Sequence, residues 1–188
     1  VLTDPYTAKS GLTPPRLKPD IVTVSHEAGD EITRRGAPAD TLNVDAPGEY
    51  EYRGVFLWGM ETRTATSQRN LVFLIQIDDL NVAHLGDLGH ELTDAQLERL
   101  SRVDVLLVPV GGSPALTASA ARRVVSQIEP KVVIPMHYRI PGLRGSAAPL
   151  AEFQKEFGVK NVQEQETYRV RSRDLTGEEM LTIVLRRP

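Results

Sequence analysis

The chain has 188 residues, 40% of them hydrophobic, with 22 basic against 25 acidic side chains and a net charge of −3. That length suits one domain, 1–188, with a real core, and the mixed, slightly acidic surface argues against nucleic acid or an anionic membrane as the main partner. There is no cysteine, which excludes disulfides, thiolate metal sites and cysteine nucleophiles and fits a cytoplasmic setting, and no apolar run reaches the roughly 18 residues of a membrane span.

The opening Val-Leu-Thr-Asp-Pro-Tyr reads like a strand end entering a turn, so an earlier segment of the natural chain is expected. Residues 1–20 hold four prolines and are expected to form an irregular loop. Residues 21–25 form a short buried strand. Residues 30–36 suit a short helix, with Asp30 near its start and Gly36 as its stop. Over 37–70, alternating apolar and polar runs are punctuated by Gly48, Gly54 and Gly59, which predicts an antiparallel meander. The runs 71–77 and 81–84 flank Asp78-Asp79, a hairpin turn.

The character then changes. Thr93 caps a helix, with Gln96 as its capping-box partner. Residues 103–110 are too continuously apolar for a half-exposed strand and belong in the centre of a sheet. Gly111-Gly112 makes a turn; it lacks the glycine pattern and Lys of a phosphate loop. Residues 117–128 form an amphipathic helix ended by Pro130, 132–135 another buried strand, and 149–157 a third helix stopped by Gly158. A strand-rich first half followed by strand–helix alternation predicts two packed sheets with helices outside.

Three fragments carry chemistry. Val24-Ser25-His26, with Asp30 beyond it, Val82-Ala83-His84-Leu85-Gly86-Asp87, and Ile134-Pro135-Met136-His137 are each an apolar strand running into a His or Asp beside Gly or Pro. Imidazole nitrogen and carboxylate oxygen together suit zinc, manganese or iron. The candidate ligands are His26, Asp30, Glu31, Asp87 and His137. Blander roles stand beside these: Asp30 as a helix cap, Glu31 as a solvated first-turn acid, Asp87 as a turn residue. His84 suits a hydrogen-bonded core position, His90 an exposed one, and Trp58, Tyr50 and Tyr52 sheet packing.

These fragments, with Thr3-Asp4-Pro5-Tyr6 and Asp45-Ala46-Pro47-Gly48-Glu49-Tyr50-Glu51, resemble the metallo-β-lactamase fold superfamily. The resemblance runs over nearly the whole chain and points to the small hydrolase branch that includes the ascorbate-6-phosphate lactonase-like proteins. It implies an α/β, four-layer αββα sandwich, here lacking its first one or two strands. It also implies the motif H-x-H-x-D-H, whose first His falls on His26 and whose Asp falls on Asp30. The second and third His positions fall on Ala28 and Glu31, and the further His expected between Gly59 and Ala65 is missing. The bridging Asp corresponds to Asp87 and the last His to His137.

Of the three imidazoles implied for a first metal, only His26 remains, so a full dinuclear centre is not expected. A single ion held by Asp30, Asp87 and His137, with Glu31 helping, is chemically sensible. Its oxygen-rich shell suits manganese, iron or magnesium better than tightly held zinc. The expected activity is metal-dependent hydrolysis of a small ester, lactone or phosphoester. Asp87 would hold the attacking water and Asp30 would accept its proton, with Arg139 or Tyr138 as stand-ins for the lost Lewis acid. The alternative is a catalytically silent relative, without metal, kept for binding or assembly. A small-molecule substrate is expected, and the sequence is compatible with a homo-oligomer.

Overall fold

In the computed structural model, residues 1–14, 16–26, 38–160, 162, 164–177 and 179–186 are described. The expected helix at 30–36 lies outside them. In chain order the strands of the first half are β1 (Leu2–Thr3), β2 (Ile21–Thr23), β3 (Leu42–Val44), β4 (Gly48–Tyr52), β5 (Val55–Arg63), β6 (Arg69–Ile77) and β7 (Leu80–His84). The second half runs α1 (Asp94–Arg99), β8 (Val105–Pro109), α2 (Ala118–Ile128), β9 (Val132–Met136), α3 (Leu150–Phe157), β10 (Glu164–Gln165), β11 (Leu181–Thr182) and β12 (Val184–Leu185).

A seven-stranded sheet has the order β11-β9-β8-β7-β6-β5-β4, and a three-stranded sheet has the order β1-β2-β3. Strands β4 to β7 pair antiparallel, whereas β7, β8, β9 and β11 run parallel. The Asp78-Asp79 hairpin forms as expected, and Asp78 takes the positive φ of 51° that the tight turn demands. The expected meander holds only from β4 onward. Its first member, β3, pairs in parallel with β2 in the smaller sheet. Alternation shows that a segment is half-buried, but not which strand it lies beside.

Side chains alternate cleanly on β6. Leu71, Phe73 and Ile75 pack with Ile21 and Val44 of the small sheet and Leu57 of β5, while Val72 and Leu74 face the other way. That other face meets the helices: Leu106, Val108 and Val133 pack with Ala121, Val124 and Val125 of α2 and Phe153 of α3. At the β8–β9 end, Val105, Val132 and Ile134 are covered by Tyr168, Val170, Leu175 and Ile183 from the tail. The large sheet is therefore the middle layer, with helices on one face and the small sheet and tail on the other. This mixed α/β sandwich is the architecture expected from the sequence.

Candidate metal centre

The chemistry gathers where strand ends of both sheets meet. His26 follows β2, Asp87 follows β7 and His137 follows β9. Parallel strands β7, β8 and β9 direct their C-terminal ends to one rim, so Asp87 and His137 become neighbours although fifty residues separate them. The small sheet is fastened to the same rim by the Leu71 N–H, which donates to the Ser25 carbonyl at 2.6 Å.

Asp87 is the hub. His26 Nε2 lies 3.3 Å from its Oδ2, and His137 Nδ1 lies 2.8 Å from its Oδ1. The Asp87 side chain is 8% exposed, against 20% for His26 and 38% for His137, so the imidazoles stand between the carboxylate and solvent. Burial pushes the Asp87 carboxyl up, but opposing effects led by the hydrogen bond from His137 outweigh it and hold the group below its ordinary 3.8.

Hydrogen bonding fixes the form of His26. The Asp4 carboxylate accepts the Ser25 N–H through Oδ1 at 2.7 Å and the Ser25 hydroxyl through Oδ2 at 2.5 Å. The Ser25 proton is thus committed to Asp4, and Ser25 Oγ, 2.8 Å from His26 Nδ1, accepts from that nitrogen. In the neutral ring His26 Nε2 then presents its lone pair to an Asp87 oxygen that has only lone pairs, whereas in the protonated ring the same nitrogen donates to Asp87. Two such groups at 3.3 Å repel unless a proton or a cation lies between them. With metal–ligand lengths of about 2.0–2.2 Å, neighbouring donors of one tetrahedral shell stand roughly 3.3–3.5 Å apart, so the pair fits an ion. Among the described residues no group of three or more His, Asp or Glu donors converges on one point, because His26 and His137 approach opposite oxygens of Asp87. Asp30 and Glu31 lie outside the described residues.

Asn70 is not signalled among the candidate residues, and Asp4 and Ser25 stand in the matching fragments without a role of their own. Asn70 is fully buried in β6. Its Oδ1 accepts the Asp87 N–H at 2.8 Å, while its Nδ2 donates to the Leu85 carbonyl at 3.0 Å and to Thr62 Oγ1 at 2.8 Å. A lone Asn within the apolar run Leu71–Ile77 and its flank was the available signal. A side chain on Gly86, whose φ is 57°, would meet Asn70 Oδ1 and Ser25 Cβ, each at 2.5 Å. A side chain on Gly111 would fall 1.8 Å from the His137 carbonyl.

The other histidines are structural. His84 is buried and accepts the Gly86 N–H at 3.2 Å through Nδ1; burial lowers its pKa from 6.5, against the pull of Asp4 and Asp87. His90 is half-buried instead of exposed, because Nε2 accepts the Arg63 N–H at 3.3 Å and Nδ1 bonds the Glu91 carbonyl at 2.7 Å. Tyr138, a suggested stand-in for the Lewis acid, turns away and donates to the Leu185 carbonyl at 3.1 Å. A groove of roughly 1210 Å³ beside Trp58, Met60, Leu74 and Arg99 shares no residue with the centre.

The comparisons agree with this fold. The Beta-lactamase superfamily domain matches residues 1–137. A UPF0173 protein of Pyrococcus furiosus is 34% identical over 119 residues, covering 63% of this chain and 53% of that protein, so the match spans about half that relative's length. A second protein of that organism, named a UPF0173 metal-dependent hydrolase, is 26% identical and covers 85% of each chain. A solved structure from Thermotoga maritima, described as a candidate Zn-dependent hydrolase of the metallo-β-lactamase superfamily, superposes with a TM-score of 0.78 at 32% identity, covering 97% of this chain and 87% of its own. Strand ends of two packed sheets converging on His26, Asp87 and His137, together with a family match over most of its length, place this chain in the β-lactamase superfamily domain family.

Proposed function

We propose that the protein is a metal-dependent hydrolase with a reduced, mononuclear centre, acting on a small ester, lactone or phosphoester. The observation that supports this reading is the His26 Nε2 lone pair set 3.3 Å from Asp87 Oδ2 with nothing but a cation or proton able to reconcile them. His26 and Asp87 would hold the ion, with His137 beside them and Asp30 and Glu31 as the further ligands expected from the motif. A bound divalent ion supplies Lewis acidity and lowers the pKa of a coordinated water toward about 7. Asp87 keeps its charge down to acid pH and can orient that water, while His137 Nδ1 steadies the other carboxylate oxygen. Asp30 is the proposed proton acceptor.

A second reading, a silent relative without metal, draws on Ala28 and Glu31 standing where the motif has imidazoles. Elemental analysis of freshly purified protein separates the two. About one equivalent of a divalent metal, lost in Asp87→Ala, with turnover on an ester and lactone panel, is the expected result. Metal-free protein with no chelator-sensitive activity establishes the silent reading.

A further inference from the structure

Two segments that leave the centre carry only positive charge. Residues 5–18 leave from Asp4, which holds Ser25 beside His26, and contain Lys9, Arg16 and Lys18 without an acid. Residues 138–148 leave from His137 and contain Arg139 and Arg144 without an acid. The two segments touch: the Arg144 N–H donates to the Ser10 carbonyl at 2.8 Å, and a Cβ on Gly11 would meet the Gly142 carbonyl and the Arg144 side chain. All five cations are exposed.

Five arginines elsewhere, Arg53, Arg63, Arg69, Arg123 and Arg186, pair with carboxylates. Among the described residues Arg16, Lys18, Arg139 and Arg144 form no such pair. The nearest following acid, Asp20, is engaged by Arg53. In a chain of net charge −3, these two touching segments, one leaving Asp4 and the other His137, concentrate unpaired cations on one side of the fold. An anionic substrate approaching the Asp87 carboxylate needs such countercharge, and a neutral one does not.

Resting on the hydrolase reading above, we propose that the substrate carries an oxyanion, a phosphate or carboxylate, which Arg139 and Arg144 hold at the mouth while the bond to be cleaved faces Asp87. Guanidinium groups suit this role because their planar donors match both oxyanions with paired hydrogen bonds.

Chelator-treated protein is titrated with inorganic phosphate and, separately, with succinate, by calorimetry. Saturable binding of at least one, weakening with ionic strength and about tenfold for each of Arg139→Gln and Arg144→Gln, is expected. Whichever anion binds more tightly names the oxyanion class. Absence of saturable binding for both, or equal affinity in the double variant, overturns the proposal. Both arginines are exposed, so unchanged circular dichroism and thermal midpoint certify folding. Metal content of the untreated double variant is measured in parallel: metal retained with phosphate and succinate binding absent refutes the rim alone, whereas a metal-free wild type refutes the hydrolase reading.

Discussion

Asn70 holds Asp87 in place from the backbone, so the hub residue does not depend on its ligands for its position. Asn70→Ala leaves the buried Asp87 N–H without a partner and takes one of the two donors, the other being the Leu88 N–H, from the Leu85 carbonyl. The expected cost is about 1–3 kcal/mol for the orphaned Asp87 N–H, seen as a lower midpoint in denaturant unfolding. Ser25→Ala acts differently. It removes the acceptor of the His26 Nδ1–H, frees the ring to change tautomer, and is expected to lower metal affinity about 10–100-fold in chelator competition, with folding largely kept. Acidity acts through His84 and Asp87, both with lowered pKa values. Each binds fewer protons folded than unfolded, so each stabilises the fold above its ordinary value and loses that contribution as pH falls. Metal-free protein should therefore weaken first below the ordinary 6.5 of His84 and again below the 3.8 of Asp87. His84→Gln should flatten the first loss in urea titrations across pH and leave the second.

At the scale of elements, what the sequence discloses depends on how local the cause is. The α1 cap is readable because its partners are three residues apart: Thr93 Oγ1 accepts the Gln96 N–H and Gln96 Oε1 accepts the Thr93 N–H. Thr93→Ala should cost about 1 kcal/mol in thermal unfolding. The α2 and α3 stops at Glu129 and Gly158, both left-handed, follow equally local rules. The partner of β3 was not readable, since parallel pairing with β2 joins segments twenty residues apart and leaves no mark in either. The same holds at the centre. His26, Asp87 and His137 could be named because strand tips ending in His or Asp are visible in the chain. Asp4 and Asn70 could not, because their roles come from contacts that only the assembled sheets create.

For the whole molecule, a ligand bound only by the folded state raises its stability. Chelation should lower the wild-type unfolding temperature and leave Asp87→Ala unmoved; differential scanning fluorimetry reads both. Protein contacts of their own join the two sheets. The Leu71 N–H reaches the Ser25 carbonyl, and the Gly86 main chain lies so close to the Ser25 and Asn70 side chains that there is no room for a methyl group. Such a seam works like a dowel: it keeps the halves in register whether or not the ornament above it survives. A scaffold held in this way can exchange side chains around its centre without losing the alignment of the sheets that present them.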